Sequence, residues 1–174
     1  MSAHLILTVI GDDRPGLVES LATAIAAHRG NWLESSMSQL SGKFAGIVRV
    51  ALPAADVPAL KAALATLPGL RVTAEEAQPA EAPAGVRRLK LSLVGHDRAG
   101  IVREVAQVLA RHAVNVEDLA THTASAPMSA EILFHAAAQL TAAADLDACA
   151  LIADLERISN DLMVDINLDE TIGK

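Results

Sequence analysis

One short motif with the potential for chemistry occurs twice in the chain. Residues 11–18 read GDDRPGLV and residues 95–102 read GHDRAGIV, so Gly-x-Asp-Arg-x-Gly returns 84 residues later. Each copy lies where an apolar strand pattern changes to a helical pattern. A glycine at a helix start leaves the first backbone N–H groups uncovered, and the helix dipole favours negative charge there. The motif therefore predicts a site for a carboxylate.

A nucleotide phosphate is the rival ligand on the same logic. Neither copy contains a Walker Gly-Lys-Ser/Thr or a Gly-x-Gly-x-x-Gly, which disfavours nucleotide binding. We expect Gly11 to leave the strand with a positive φ, Pro15 to suit the first helical turn, and Asp13 to cap the amide of Gly16. The plain alternative is that the motif is only a good strand-to-helix connection.

The repeat extends well beyond the motif and makes the chain an internal duplication. Arg14 and Arg98 are kept although capping does not require arginine, and Asn31 and Asn115 are kept where a strand disfavours asparagine. An amide can offer a donor and an acceptor to a ligand, but asparagine also suits a helix exit. The other identities at this offset are Leu5/Leu89, Leu7/Leu91, Gly11/Gly95, Asp13/Asp97, Gly16/Gly100, Val18/Val102, Ala22/Ala106, Ala26/Ala110 and His28/His112.

Hydrophobic periodicity predicts the same element order, βαββαβ, in each copy. This is the split βαβ pattern of a ferredoxin-like fold, in the α+β class, with two helices on one face of each antiparallel sheet. We expect the first strand to be apolar, or nearly so, on both faces. The stretch EEAQPAEAPAG lacks periodicity and reads as a linker, so the predicted domains are 1–76 and 87–174, joined by 77–86. The predicted strands are 5–10, 31–40, 44–52 and 70–75, then 89–94, 115–123, about 129–138 and 162–169.

Composition narrows the class of protein. The formal net charge of −7 argues against a surface that binds nucleic acid directly. Aromatic residues are only 2% of the chain, so alanine and branched aliphatic side chains must fill the core, and we expect the single cysteine, Cys149, to be part of it. The N-terminus lacks a signal-peptide pattern and no apolar run is long enough for a membrane span, which predicts a cytoplasmic protein.

Features of an enzyme or a metalloprotein are not expected. The six histidines show no H-x-x-x-H or Cys/His metal spacing, and there is no nucleophile elbow around Ser35 or Ser36. His28 and His112 recur at a helix C-terminus, where a structural role is favoured. The sequence predicts no catalytic residues, no metal and no cofactor.

The order of elements resembles that of the ACT domain, a small regulatory module: a strand, the turn DRPGLV, a helix, and a second strand that begins with an asparagine. The resemblance covers almost the entire chain as two ACT domains. With the short linker and the segment ASAPMSAEILF, the chain looks most like the glycine cleavage system transcriptional repressor family.

That resemblance implies a small amino acid effector, with glycine the most plausible, bound between the turn of one ACT domain and a strand of its neighbour. It also implies contact with a DNA-binding transcriptional activator rather than with DNA. Exposed edge strands favour a homodimer as a hypothesis. Because the copies differ at positions 12/96 and 15/99, we expect unequal sites. By position, the implied ligand-binding residues are Asp12, Asp13, Arg14, Gly16, Leu17 and Asn31, and then His96, Asp97, Arg98, Gly100, Ile101 and Asn115.

The expected mechanism is capture of the carboxylate by backbone amides at the helix N-terminus, with Asn31 or Asn115 beside it. Two alternatives remain. One is a module that binds only a protein partner and closes the turn with side chains. The other is a stand-alone regulatory unit of a metabolic enzyme, similar to the ACT segment of formyltetrahydrofolate deformylases.

Overall fold

The computed structural model describes residues 2–77, 85–126, 131–158 and 163–169. The predicted order βαββαβ is confirmed in both halves. A short 3₁₀ turn precedes the second helix of the first half. The elements are β1 (Ser2–Asp12), α1 (Leu17–Ala27), β2 (Asn31–Leu40), β3 (Lys43–Pro53), α2 (Val57–Ala65), β4 (Leu70–Glu76), β5 (Val86–His96), α3 (Ile101–Arg111), β6 (Asn115–Ser125), β7 (Ile132–Ala143), α4 (Ala148–Ile158) and β8 (Met163–Asp169).

Each half forms a four-stranded antiparallel sheet with the same topology. The strand orders are β2-β3-β1-β4 and β6-β7-β5-β8, so the first strand of each half is central and the second is an edge. Both edge strands carry an irregularity in pairing at the same place, between Trp32 and Glu34 and between Val116 and Asp118. The predicted α+β class, with two ferredoxin-like units, is therefore confirmed. The two copies also match in the position of their pairing irregularity.

The chain divides into two compact units, residues 1–81 and 82–174, and each has its own apolar core. In the first unit, Leu5, Leu7 and Val9 of the central strand are fully buried beneath the helices. The core of the first unit adds Leu17, Leu21, Ile25, Val48, Val50, Leu52, Val57, Leu60, Leu64 and Leu70. The second is formed by Leu89, Leu91, Leu93, Ile101, Val105, Val108, Leu109, Val114, Phe134, Ala136, Ala138, Leu140, Ala142, Leu151 and Leu155.

The structure corrects three expectations about these elements. The outer face of β1 carries Ile6 and Ile10 but is not buried like the inner face, because Thr8 and Ile10 are exposed on the sheet face that no helix covers. Cys149 is exposed rather than in the core, since Leu151 and Leu155 set the buried side of α4 and Cys149 lies on a different side of the helix. The strand predicted at about 129–138 is Ile132–Ala143, which extends five residues further.

Some predicted features lie outside the described residues. These are most of the linker, the tip of the ASAPMS turn and Leu162 at the start of the last strand. Among the helices of the described part of the chain, none is both long and apolar enough to cross a membrane.

Candidate functional site

The first Gly-Asp-Asp-Arg-Pro-Gly turn begins inside β1, not after it. Gly11 pairs with Phe44 on one side and Leu70 on the other. A Cβ on Gly11 would lie 2.2 Å from the carbonyl oxygen of Gly69, so glycine is needed here for close backbone approach. The expectation of a positive φ at Gly11 is wrong, because the residue that turns the chain is Gly16.

Gly16 is the N-cap of α1 and has φ 91° and ψ −2°, in the left-handed region. Its carbonyl oxygen accepts hydrogen bonds from both the amide and the hydroxyl of Ser20, each at 2.9 Å. No side chain in the described part of the chain caps this helix. The expected cap, Asp13, instead donates its backbone N–H to the carbonyl of Gly42 at 2.9 Å. The first amides of α1, residues 17–19, therefore have no partner within the helix.

A cleft of about 360 Å³ opens beside this helix N-terminus, lined by residues 13–19 and Phe44. Apart from its chain neighbours, no described atom lies within 4 Å of the position that a Cβ on Gly16 would take. Leu17 is buried in the core and anchors the helix start. The turn of the first unit is thus an open, uncapped helix N-terminus beside a cleft.

The charged groups of Arg14 and Asp12 are engaged by other residues. The guanidinium of Arg14 donates to the carbonyl of Pro68 at 2.8 Å and covers Gly69. Asp12 forms an ion pair with Lys43, whose ammonium donates a hydrogen bond that holds the pKa of the carboxyl below its ordinary value. Arg14 thus ties the turn to the segment before β4, and Asp12 ties it to the start of β3. The Asp12–Lys43 pair lines a second cleft of about 360 Å³.

The second unit has the same backbone turn but a different covering. Gly100 is the N-cap of α3 with φ 88°, and its carbonyl accepts the amide of Glu104 at 3.0 Å. Arg98 donates two hydrogen bonds to the Glu104 carboxylate, at 3.1 and 2.5 Å. These bonds lower the pKa of Glu104 and raise that of Arg98. A Glu104 oxygen lies 3.8 Å from the position of a Cβ on Gly100, so this helix start already has a carboxylate beside it.

The remaining predicted residues of the second turn have internal partners. His96 lies with Nδ1 4.0 Å from a Glu131 carboxylate oxygen. Asp97 donates its backbone N–H to the carbonyl of Ile132 at 3.0 Å, and Ile101 is buried in the core. The two turns, alike in backbone, therefore differ in what side chains cover them.

The structure does not bring either asparagine to the turn of its own unit. Asn31 pairs in register with Ala51, which pairs with His4, whereas the turn begins at Gly11. These positions are seven residues apart along β1, about 24 Å at 3.4 Å per residue. Asn115 has the same displacement in the second unit, through Thr141 and Arg88. Asparagine and turn lie at opposite ends of each sheet.

One determinant of the site was missed by considering only the repeated motif. Ser20 and Glu104 occupy equivalent positions in the two copies, four residues after Gly16 and Gly100. Ser20 bonds back to the helix and leaves the first turn open, whereas Glu104 adds a carboxylate. The signal in the sequence is the difference between serine and glutamate at this position, just after the repeated motif.

The two repeated helix-terminal histidines have structural hydrogen bonds. His28 Nδ1 lies 2.8 Å from the carbonyl oxygen of Ala24, and His112 Nε2 lies 2.9 Å from Asp154 of α4. In the described residues, no group of three or more His, Cys, Asp or Glu side chains is arranged to hold a metal ion.

Comparison with known proteins identifies the repeated unit. The ACT domain family model matches residues 3–69 and 87–169. The fold is shared with a crystal structure described as "an Unknown Protein from Galdieria sulphuraria", at 28% identity and TM-score 0.82, over 97% of this chain and 99% of that one. It is shared also with a structure described as a "putative glycine cleavage system transcriptional repressor", at 17% identity and TM-score 0.72, over 97% and 98%.

A curated relative matches a shorter stretch. UPF0237 protein MK1213 of Methanopyrus kandleri is 40% identical over 52 residues, which are 30% of this chain and 58% of that protein. The family model, in contrast, covers both halves of the chain. The chain belongs to the ACT domain family, with one domain in each half.

Proposed function

We propose that this chain is a non-enzymatic regulatory protein that binds a small amino acid, glycine foremost, and passes its occupancy to a transcriptional regulator by protein contact. The observation that carries the proposal is the uncapped N-terminus of α1 at Gly16, beside a cleft of about 360 Å³. Free amides and the positive end of a helix dipole form a site for a carboxylate.

The charges around the cleft favour a zwitterion over a phosphate. The amides of residues 17–19 face a ligand carboxylate, while Asp13 and Glu19 line the same cleft and suit an ammonium group. The two carboxylates would repel a phosphate dianion. Arg14 is engaged with Pro68 and serves to hold the turn in place.

Because Asn31 lies at the opposite end of its own sheet from the turn, an equivalent asparagine must come to this site from a neighbouring ACT sheet. β2 is the outermost strand of its sheet, and its end at Leu40 pairs with Lys43, which in turn pairs with Asp12 next to the turn. Antiparallel pairing of β2 with β2 of a second chain would bring Asn31 of one chain to the turn end of the other. The proposed site is therefore completed by a homodimer, and ligand binding there would favour one dimer geometry.

The second unit is better suited to a protein partner. Its turn is covered by the Arg98–Glu104 ion pair, which favours the partner-only interpretation for that half. The net charge of −7 favours contact with a DNA-binding protein over contact with DNA. The fold shared with the structure described as a "putative glycine cleavage system transcriptional repressor" supports a regulator of that system as the partner. The proposed place of action is the cytoplasm.

The test is calorimetric titration of the full chain with glycine, serine and alanine, together with the molar mass in solution. We expect binding of glycine by a dimer, lost in Asn31→Ala and retained in Asn115→Ala, the matched change in the covered unit. Absence of heat with all three amino acids, in a folded dimer, would favour a partner-only module for the whole chain. Binding by a monomer that Asn31→Ala does not affect would disprove the shared site.

A further inference from the structure

Two histidines are stacked on neighbouring strands of the second sheet. His122 on β6 and His135 on β7 are directly opposite in register, with ring centroids 4.7 Å apart and ring planes 3° from parallel. Phe134 and Ala136, on either side of His135, are buried in the core. Because side chains alternate along a strand, the histidine pair lies on the sheet face that the helices do not cover.

The pair has the chemistry of a chelating metal site. Neutral imidazole is a good ligand for zinc, nickel and copper, and a Zn–N bond is about 2.0–2.1 Å. A tetrahedral ion would hold its two nitrogen ligands roughly 3.3 Å apart, which suits side chains whose Cβ atoms are about 5 Å apart across two strands. His122 is exposed and His135 half-buried, so the rings have room to tilt from parallel until one nitrogen of each points at a common ion.

We propose that His122 and His135 form a two-histidine site for a divalent transition-metal ion, with solvent in the remaining positions. The two ligands are 13 residues apart in sequence, so no linear metal motif reveals them, and only the register of the β6–β7 hairpin brings them together. The nearest histidine along the same face, His96, is opposite Leu133 and is directed to Glu131.

The first unit supplies an internal comparison. Its β2–β3 hairpin has the same topology, and the positions equivalent to the histidine pair are Ser38 and Ala45, which are also directly opposite. The proposed site thus belongs to the second unit alone. The same comparison offers a way to build the site where it does not exist.

The first experiment is calorimetric titration of the full chain with Zn²⁺. We expect one ion per chain, and a loss of affinity of about tenfold or more in His122→Ala and in His135→Ala, since each removes one of two linked ligands. His4→Ala, a histidine change in the first unit, should bind as the original protein does. Unchanged affinity in both hairpin variants, or equal loss in His4→Ala, would disprove the proposal.

The second experiment builds the site in the first unit. The double variant Ser38→His with Ala45→His should bind two Zn²⁺ ions per chain with similar affinity. Histidine proton resonances measured by NMR should show the His122 and His135 rings changing together on addition of Zn²⁺. A double variant that still binds one ion or none would show that cross-strand register is not sufficient, and would overturn the argument.

Discussion

Arg98 donates two hydrogen bonds to Glu104 across the second turn, whereas the equivalent arginine in the first unit, Arg14, donates to the carbonyl of Pro68. The same residue type, kept in both copies, therefore closes one helix start and leaves the other open. Position 20 or 104 differs between the copies, and in the second unit its Glu104 carboxylate holds Arg98 over the turn.

A carboxylate at position 20 should weaken glycine binding at the first unit. Ser20→Glu adds a second carboxylate, next to Glu19, in the first turn of α1. We expect glycine affinity to fall by about tenfold or more, or 1.4 kcal/mol. An acidic residue at a helix start is favourable, so the variant should melt no lower than the original protein. Calorimetry with both proteins measures the effect.

The reciprocal change is the control. Glu104→Ser removes the carboxylate from α3 and should leave binding at the first unit intact. If Ser20→Glu binds glycine as the original protein does, the helix N-terminus is not the carboxylate site.

The Arg98–Glu104 pair should make stability depend on pH. The hydrogen bonds from Arg98 hold the pKa of Glu104 below its ordinary value, so the ionised form is favoured in the folded state. Such a group contributes stability above its unfolded-state pKa, about 4.3, and the contribution is lost as pH falls through the lower folded-state pKa.

We therefore expect Glu104→Gln to be less stable than the original protein at pH 7, with the difference shrinking below about pH 4. Urea unfolding at pH 7, 5 and 3 measures it. A difference that is the same at all three pH values would assign the effect to packing and not to charge.

The two glycines of the first motif should differ in their tolerance of a side chain. A Cβ on Gly11 would meet the backbone oxygen of Gly69 at 2.2 Å. Strand pairing of Gly11 with Leu70, the residue after Gly69, holds the two backbones close together. A Cβ on Gly16 has open space, and only its left-handed backbone resists, at about 1–2 kcal/mol. Urea unfolding of Gly11→Ala should show a clearly larger loss than Gly16→Ala. The reverse order would mean that the left-handed backbone at Gly16, and not the close backbone approach at Gly11, is the stronger requirement for glycine.

The second unit should be stabilised by core residues taken from equivalent positions of the first. Trp32 and Met37 pack against the first core, whereas the equivalent Val116 and Thr121 line an apolar cavity of about 50 Å³ beside α3 that is open to solvent. A longer apolar side chain there would bury additional apolar surface, which is worth about 25 cal/mol per Å². Thr121→Met should therefore raise the midpoint of thermal unfolding, while Met37→Thr, the matched opposite change, should lower it. A lower midpoint for Thr121→Met would show that the cavity does not admit a longer side chain.

Duplication and alternation were enough to predict the fold. The pattern of Leu5, Leu7 and Val9 repeats at Leu89, Leu91 and Leu93, and each set forms the buried face of a central strand. The burial of individual positions within an element was harder to predict, because it depends on which faces of the sheet and helices are covered by other elements. The apolar residue Ile10 lies on the open sheet face, and Cys149 lies off the buried side of α4.

The candidate site was only partly predictable. The turn was identified, but its openness depends on Ser20, whose effect requires the geometry of the first helical turn. The separation of Asn31 from Gly16 follows from strand register, which the local sequence does not encode. The same is true of His122 and His135, which meet only because β6 and β7 pair as they do.

The most direct measurement is an NMR titration of the ¹⁵N-labelled full chain with glycine, following the backbone amides of both helix starts. Carboxylate capture at α1 predicts large, saturable shifts at the amides of Leu17, Val18 and Glu19, with little change at Ile101, Val102 and Arg103. Equal shifts at both helix starts, or none at residues 17–19 while binding is measurable by heat, would contradict the proposed site.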